Sequence, residues 1–433
     1  PVIITKRLKA KAIATWLGPT GDAARKAFAN VKERVTSAPR RLDFYYDLSD
    51  PWSYLTAQAV QRLIDAYPIE LAFHVITPPA SDVDPAPLLR ATHAIRDALQ
   101  LADYWDIEFP GTKPADSGLV RDVGTALVRE RPARDQLRCA LELGVAMWTI
   151  DRKGLMKLLG QWGTESHIEV PPIMNGHYND LRKAGHYNGA MLAYKGEWYW
   201  GIDRLPYLES ELAKDLGVDV AHVVTPRADR APQPLSDKPL TAEMWLSFRS
   251  PYSYLALEQI EAILAPYNIP LVLKPVLPMV TRGLAVPNVK RMYIVRDAKR
   301  EADRLGIPFG ELCDPLGKGV EHCIAIAHWA QSKGALIPFV KSAMRGIWSE
   351  GKDVSEYVDL RAVVERAGLS WDEAKAQLDD PTGLKAANES VAEMAVISLW
   401  GVPSIRVGNF IAWGQDRLPL LADRLRRAAI LPT

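Results

Sequence analysis

The sequence predicts an α/β protein made of two similar halves, each a small sheet with helices inserted into it. Two observations carry this prediction. The stretch DLSDPWSYL at 47–55 returns as SFRSPYSYL at 247–255, and WGIDRLP at 200–206 returns as WGQDRLP at 413–419. Between these points, short apolar strand candidates alternate with segments of helical periodicity, as is typical of α/β folds.

The repeat runs without a gap through the first part of each half. At an offset of 200 residues, Pro51 matches Pro251, and Arg96-Asp97-Ala98 matches Arg296-Asp297-Ala298. The offset becomes 213 at the second motif, so the second copy is 13 residues longer in its middle. A period of this length indicates a duplicated domain, because solenoid repeats run about 20–50 residues.

Four parts of the chain follow from this repeat. We expect a helical N-terminal extension over 1–40, a first domain over 41–222, a linker over 223–240 and a second domain over 241–433. We refer to 41–222 as the first half and to 241–433 as the second half. The linker contains PRADRAPQPLSDKPL, which is rich in proline and charge, as exposed linkers are. The basic and apolar residues of KRLKAKAIATWL in the extension permit a membrane-surface helix, but a helix that docks on the first domain is the favoured interpretation.

Each half opens with a strand, a helix and a second strand. The first strand candidate is RLDFYYDL or AEMWLSF, the helix has apolar residues at helical spacing, and the second strand candidate is IELAFHVI or IPLVLKPVL. Strand, helix and strand in this order predict two parallel strands with a right-handed crossover. A long helical middle follows, and then two short strands around a turn and a closing helix. The sequence therefore predicts two tandem thioredoxin-like domains, each with an inserted helical subdomain.

Composition excludes several classes of protein. The 433 residues include 53 Lys plus Arg against 52 Asp plus Glu, which leaves no overall field to attract nucleic acid. Cys139, Cys313 and Cys323 are too few for a disulfide scaffold and form no C-x-x-C motif. No apolar run approaches the roughly 20 residues that span a bilayer. We expect a cytoplasmic protein with no nucleic-acid partner and no membrane span.

Four motifs of the second half resemble a known family when they are taken in order. They are Ser250-Pro251-Tyr252-Ser253-Tyr254 after the first strand, Lys290 with Tyr293 and Asp297, GVP at 401–403, and WGQDRL at 413–418. Together they resemble the 2-hydroxychromene-2-carboxylate isomerases and kappa-class glutathione transferases, in the DsbA-like branch of the thioredoxin superfamily. The resemblance covers nearly all of the second half and is weaker over the first. It implies glutathione as the cofactor and a small molecule as the substrate.

The resemblance puts Ser250 in the place of the redox cysteine and implies that it stabilises a bound thiolate. A free thiol has a pKa of about 8.5, and a hydroxyl donor beside the unpaired N–H groups of a helix N-terminus favours its ionised form. A serine before a proline also acts as a simple helix cap. The three further motifs in register favour the catalytic interpretation.

Five other residues receive binding roles from the resemblance. Pro403 matches the family's cis-proline, and Val402 before it offers its backbone to glutathione. Gln415 and Asp416 match the positions that hold the γ-glutamyl end, although capping of the last helix is compatible with the same residues. Lys290 matches a lysine near the bound thiol, whereas a lone lysine on a helix is more often a solvated charge.

Aromatic residues near Ser250 suggest a pocket for the substrate. We predict that Tyr252, Ser253 and Trp245 line it. The histidines do not cluster at the spacing of metal ligands, so no metal site is predicted.

The first half departs from the family pattern at two positions. Asp50 replaces the serine, and Ala190 falls opposite Pro403. A carboxylate beside a thiol raises the thiol pKa, because like charges disfavour the ionised form, although Asp50 can still cap a helix. We therefore predict one glutathione site per chain, a cis bond before Pro403 and a trans bond before Ala190. Asp203 preserves the position of Asp416, which leaves some ligand binding by the first half open.

The predicted function is a glutathione-dependent isomerase or transferase that acts through the second half on an unsaturated or aromatic carbonyl compound or another electrophile. The alternatives are a non-catalytic binding protein with the same fold and a DsbA-like protein without dithiol redox activity. Fold alone does not separate these functions. Single-domain members of the family are usually dimers, so the resemblance implies a pseudo-dimer within one chain, with a homodimer as the alternative.

Overall fold

A computed structural model describes residues 2–25, 27, 40–235 and 239–429. The chain forms two compact units, which are Arg25–Arg230 (the first unit) and Pro1–Ala24 together with Ala231–Thr433 (the second unit). Helix α1 (Val2–Leu17) belongs to the second unit. The described helices include none that is both long and apolar enough to cross a bilayer.

The first unit is built around a four-stranded sheet. Its strands are β1 (Arg41–Asp47), β2 (Glu70–Ile76), β3 (Met191–Tyr194) and β4 (Glu197–Trp200). Its helices are α2 (Pro51–Ala66), α3 (Pro87–Trp105), α4 (Ser117–Leu127), α5 (Ala133–Trp148), α6 (Arg152–Trp162), α7 (Val170–Ala184) and α8 (Leu205–Leu216). The strand order is β2-β1-β3-β4, with β1 parallel to β2 and the other neighbours antiparallel. Helices α3 to α7 lie between β2 and β3 in the sequence.

The second unit has a sheet of the same order and pairing. Its strands are β5 (Ala242–Leu246), β6 (Leu271–Pro275), β7 (Ser404–Val407) and β8 (Phe410–Trp413). The helices that follow β5 are α9 (Pro251–Leu264), α10 (Asn288–Leu305), α11 (Lys318–Ser332), α12 (Leu336–Ser349), α13 (Tyr357–Arg366), α14 (Trp371–Lys375), α15 (Thr382–Val396) and α16 (Leu418–Ala428). The order is β6-β5-β7-β8, with β5 parallel to β6 and the other neighbours antiparallel. The predicted α/β class with two sheets and helices is confirmed.

Helices α2 and α9 begin for the same physical reason. Asp50 and Ser250 precede them in extended conformation, and each side chain accepts the backbone N–H three residues on, from Ser53 and Ser253. A proline follows each cap, where its missing N–H leaves no intrahelical bond unmade. Both helix N-termini therefore lie just past the carboxyl end of the first strand of their sheet.

Trp245 lies in the hydrophobic core of the second unit. Its side chain is fully buried and packs in a cluster with Val276, Met394 and Leu399. Lys274 lies over its ring, 5.0 Å from the centroid. This burial argues against the predicted pocket role of Trp245, because no ring surface is left open to a substrate.

Helix α1 packs on the second unit through small residues. Ala10 is 2% exposed, and a Cβ added at Gly351 would lie 3.1 Å from its Cβ. A Cβ at Gly310 would lie 3.9 Å from the Cβ of Ala14. Gly351 has a φ of +61°, which glycine adopts without strain. This packing corrects the prediction that the N-terminal extension docks on the first domain.

Candidate active site

The Ser250 hydroxyl lies between the N-terminus of α9 and the loop that precedes β7. Its oxygen accepts the backbone N–H of Ser253 at 3.1 Å, and its hydroxyl donates to the carbonyl oxygen of Val402 at 3.4 Å. The side chain is half-buried. A bond of 3.4 Å is weak, so the hydroxyl hydrogen can turn toward an anion that approaches the helix N-terminus.

The loop before β7 holds Val402 and Pro403. The peptide bond between them is cis, which confirms the prediction made from the sequence, and no other cis bond occurs in the described part of the chain. The Pro403 carbonyl accepts the N–H of Gly414 at 2.9 Å, and the Ser404 hydroxyl donates to the carbonyl of Gly401 at 2.6 Å. The first bond ties the loop to the turn that follows β8, and the second closes the loop on itself.

One face of α10 carries a row of polar side chains, two of which bond to residues of the site. Lys290, Tyr293, Asp297 and Glu301 are spaced three or four residues apart, which places them on one side of a helix. Asp297 is buried and accepts the hydroxyl of Tyr252 at 2.7 Å. Lys290, which is half-buried, lies at the start of this row, in the first turn of the helix.

Gln415 and Asp416 lie in different environments. Gln415 is 2% exposed, and its Nε2 donates to Oε2 of Glu301 at 2.8 Å. The Asp416 carboxylate is partly exposed and lies 3.5 Å from Nη1 of Arg417. The amide nitrogen of Gln415 is thus engaged inside the protein, whereas the Asp416 carboxylate is partly exposed to solvent.

Tyr252 and Ser253 also differ in exposure. Tyr252 is half-buried, with its hydroxyl fixed on Asp297. Ser253 is fully buried, and its Oγ accepts the backbone N–H of Ser247 at 3.4 Å. Ser253 therefore ties the start of α9 to the end of β5, and Tyr252 is the accessible member of the predicted pair.

Three residues around the Val402 loop were missed by sequence reasoning. The rings of Trp400 and Trp413 lie 4.8 Å apart between centroids, at an angle of 42°. Nη2 of Arg282 donates to the Trp400 carbonyl at 3.0 Å. The signal for Arg282 was present in the repeat, because Asp82 stands 200 residues earlier and the charge is reversed.

The equivalent position in the first half holds a buried carboxylate. Asp50 is 3% exposed, and its Oδ2 accepts the N–H of Ser53 at 3.2 Å and the hydroxyl of Ser53 at 2.9 Å. Its Oδ1 lies 3.7 Å from Nη2 of Arg90, which stands 200 residues before Lys290. Nε1 of Trp52 donates to Asp97 at 2.7 Å, which repeats the Tyr252 contact of the second half.

The first half also closes its loop on this helix N-terminus. The backbone N–H of Ala190 donates to Oγ of Ser53 at 2.7 Å, a bond that a proline at this position would lack. The Ala190 carbonyl accepts the N–H of Gly201 at 2.8 Å, just as Pro403 accepts that of Gly414. A Cβ at Gly189 would lie 2.9 Å from Oγ of Ser53, so the loop approaches the helix closely.

Two buried acids make the first site electrostatically different from the second. Burial, together with the nearby Asp50 carboxylate, raises the pKa of Asp47 to about 6. Burial also raises the pKa of Asp50, against the lowering effect of Arg90. The second half has Ser247 and Ser250 at these positions, so it carries no negative charge there.

The three cysteines lie away from any dithiol arrangement. Cys139, Cys313 and Cys323 are all free and buried. Burial raises the pKa of Cys139 to about 11 and raises that of Cys323 as well. The thiols of Cys139 and Cys323 are therefore poor nucleophiles at neutral pH.

The second half of the chain matches a known protein family. Residues 241–426 match the family model of the DSBA-like thioredoxin domain. This segment is a DsbA-like thioredoxin domain. The match covers the strand β5, the helix that Ser250 caps and the loop that holds Val402 and Pro403.

Curated relatives carry one activity name. The 2-hydroxychromene-2-carboxylate isomerase of Sphingobium xenophagum is 25% identical over 195 residues, which are 43% of this chain and 97% of that protein. The enzyme of the same name from Pseudomonas putida is 22% identical over 199 residues, 43% of this chain and 95% of that protein. A solved structure of selenomethionine 2-hydroxychromene-2-carboxylate isomerase is 20% identical with a TM-score of 0.39, and the match covers 44% of this chain and 96% of that one. Each relative thus corresponds to less than half of this chain.

Proposed function

We propose that this chain is a glutathione-dependent isomerase that acts on an unsaturated or aromatic carbonyl compound through its second half. The observation that carries the proposal is the Ser250 hydroxyl at the N-terminus of α9, held 3.4 Å from the carbonyl oxygen of Val402. The two isomerases similar to this chain support the reaction class.

The site fits a thiolate ligand on physical grounds. The first N–H groups of α9 have no intrahelical partner and carry partial positive charge, and the Ser250 hydroxyl adds a donor that can reorient. Each unit by which the thiol pKa falls corresponds to about 1.4 kcal/mol of preference for the anion. Bound as a thiolate, glutathione supplies a nucleophile that adds to a conjugated carbon and leaves after bond rotation. We propose that the partly exposed Asp416 carboxylate accepts the ammonium group of the γ-glutamyl end.

The two halves are proposed to be tandem thioredoxin-like domains over 41–222 and 241–433. Their sheets share one strand order and one pairing pattern. The hydrogen bond from Trp52 to Asp97 and the bond from Tyr252 to Asp297 have the same length and the same place in the repeat. Matching contacts of this kind support a duplication.

Catalysis is assigned to the second half alone. In the first half the Asp50 carboxylate occupies the helix N-terminus that would otherwise receive an anion, and Arg90 neutralises it. The Ala190 N–H closes the loop onto Ser53. A second anion at this place would meet the charge of Asp50, so we propose that the first half does not activate a thiol.

A second candidate is a non-catalytic binding protein with a thioredoxin-like fold. The burial of Gln415 against Glu301 favours it, because that contact occupies an amide assigned to glutathione. Conjugation of glutathione to an electrophile uses the same site as isomerisation and remains within the proposal. Dithiol exchange is outside it, since no cysteine stands at the start of α2 or α9.

The deciding experiment is a calorimetric titration of the full chain with glutathione and with S-methylglutathione, which cannot form a thiolate. We expect about one equivalent of glutathione per chain and tighter binding than for the S-methyl compound. Ser250→Ala should remove that difference, and Asp50→Ala should leave it unchanged. Absence of binding at millimolar glutathione would overturn the proposal in favour of the binding-protein candidate.

A further inference from the structure

Arg282 lies beside the Val402 loop, and no carboxylate of the described residues pairs with it. It stands in the short turn between β6 and α10, and Nη2 donates to the Trp400 carbonyl at 3.0 Å. Its Nε is buried and has no hydrogen-bond partner among the described residues. Across the described ranges, no carboxylate lies within ion-pair distance of this guanidinium, although most of the partly buried arginines have one.

An unpaired guanidinium in such a place is costly. Burial of a charge without a counter-charge is unfavourable, and buried arginines are nearly always paired. Burial lowers the pKa of Arg282, and no acidic group acts against this effect. A cation kept at this cost points to an anion that comes from outside the protein.

The first half shows what an internal partner looks like at this point of the repeat. Asp82, which stands 200 residues before Arg282, accepts two bonds from Arg182, at 3.0 and 2.8 Å. The residue 213 positions after Arg182 is Ala395, which has no charge. At the position of Asp82 the second half therefore has the cation Arg282. At the position of its partner Arg182 the second half has the methyl group of Ala395.

Arg282 and Ser250 contact the same loop. Arg282 donates to the carbonyl of Trp400, and Ser250 donates to the carbonyl of Val402, two residues further along the chain. The Cα atoms of Trp400 and Val402 are therefore at most about 7.6 Å apart. Trp413 lies directly against this loop, because a Cβ at Gly401 would meet its Nε1 at 2.6 Å. A hydroxyl, an indole pair and a guanidinium thus border one short loop.

We propose that Arg282 binds a carboxylate group of a ligand at this site. The inference rests on the proposed function, because it assigns a ligand contact to the same site. Two sources share this chemistry: a carboxylate of glutathione and the carboxylate of an aromatic second substrate. The partly buried Trp413 ring beside the loop favours the aromatic source, since flat apolar rings pack on indoles. Arg282 is then the residue that selects acidic substrates over neutral ones.

The test compares charged and neutral probes on the full chain by calorimetry. The probes are cinnamate against cinnamamide, and glutathione against its diethyl ester. Arg282→Met should weaken a carboxylate probe by about ten- to a hundred-fold, the loss of a charge-assisted bond, and should leave the neutral probes unchanged. Arg282→Lys should recover part of the loss. Arg361→Met, which removes an exposed arginine paired with Glu365, controls for the change in net charge.

The outcomes separate the sources and the two proposals. A loss confined to cinnamate identifies the aromatic substrate, and a loss confined to glutathione identifies the cofactor carboxylate. Arg282→Met should also keep or raise the midpoint of thermal unfolding, because it removes a partly buried charge that has no counter-charge. Equal affinities of charged and neutral probes in the wild type, or no change in Arg282→Met, would overturn the inference. Failure of glutathione to bind ends the proposed function but leaves the cinnamate comparison to judge Arg282.

Discussion

Nε2 of Gln415 donates a 2.8 Å hydrogen bond to Oε2 of Glu301, and each of these two side chains is only 2% exposed. The same two positions of the repeat in the first half hold Ile202 and Leu101, which are also buried. A polar pair in one half therefore stands where an apolar pair stands in the other. Each half satisfies its own pair, since a buried polar group needs a partner and an apolar group does not.

The first prediction concerns the replacement of Gln415 and Glu301 by the apolar residues of the first half. Gln415→Ile or Glu301→Leu alone should cost about 1–3 kcal/mol of unfolding free energy, because each removes the hydrogen bond between two buried polar groups. In Gln415→Ile, Glu301 keeps its bond from Arg304. The double variant, which copies the first half, should lie close to the wild type. Urea denaturation of the four proteins measures this. If the two losses of unfolding free energy were additive in the double variant, the two side chains would not be energetically coupled.

The second prediction concerns Ser250 and its counterpart Asp50. Ser250→Ala removes a hydrogen bond to a charged group, worth about 1.5–3 kcal/mol, and should lower turnover roughly 10–150-fold. The pKa of enzyme-bound glutathione should rise, while its affinity falls less because Asp416 remains. Ultraviolet absorbance of the thiolate against pH measures the shift.

Asp50→Ala is the matched control for this prediction. It removes the equivalent cap and should cost about 1 kcal/mol or more of stability, since Arg90 also loses a partner. Thiolate absorbance should be unchanged. Equal loss of the thiolate signal in both variants would mean that both halves bind glutathione, and unchanged chemistry in Ser250→Ala would leave that serine as a cap alone.

The third prediction is a pH dependence of stability that arises from Asp47. Its pKa in the folded protein is about 6, against an ordinary value of 3.8 for an aspartate side chain, so the folded state holds the proton more tightly. Stability from this group is therefore full below about pH 4 and falls as the pH rises toward 6. Asp47→Asn, whose amide oxygen can still accept from Ser49, should match the wild type at pH 4. At pH 7 it should be more stable, by on the order of 2 kcal/mol.

A control of opposite sign accompanies this prediction. The pKa of Asp65 is lowered by hydrogen bonds from Gln61 and Arg134. Asp65→Asn should therefore lose stability relative to the wild type as the pH rises toward about 4, and should keep a constant deficit above that pH. Thermal unfolding across pH 3–7 compares the three proteins. A constant difference between Asp47→Asn and the wild type over that range would contradict the assigned titration.

Local sequence signals anticipated the parts of the structure that local physics decides. A capping side chain, a proline and an apolar helical pattern predicted where α2 and α9 begin, and the GVP motif predicted the cis bond at Pro403. The repeat predicted two sheets of the same class. Each of these depends on residues that are close in the sequence or that occur twice.

Contacts between distant residues were not visible in the sequence. Glu301 meets Gln415 across 114 positions, and nothing near either residue identifies the other. Trp245 was expected at a pocket because its strand is next to Ser250, but its ring packs against Met394 and Leu399, which arrive from the end of the inserted helices. Helix α1 carries small residues that fit two glycines more than 290 positions away in the sequence, so its docking surface had no local signal.

The last prediction tests the contact between Gly401 and Trp413. A Cβ at Gly401 would lie 2.6 Å from Nε1 of Trp413 and 3.0 Å from the next ring atom, so the indole must move away from the loop. Gly401→Ala should cost about 1–3 kcal/mol of unfolding free energy through overpacking. It should also weaken binding of cinnamate more than binding of glutathione, because the displaced ring lies against the loop whose Trp400 carbonyl accepts from Arg282, while the Ser250 contacts are unchanged.

Gly160→Ala serves as the control for that substitution. Gly160 lies in α6, and a Cβ there would meet nothing within 4 Å. Alanine should therefore stabilise the helix by roughly 0.5–1 kcal/mol, since it restricts the unfolded chain more than glycine does. Urea denaturation and calorimetry with both probes give the comparison. If Gly401→Ala were as stable as the wild type and bound cinnamate equally well, Trp413 would not be held against the loop, and the indole would have no role in binding the aromatic probe.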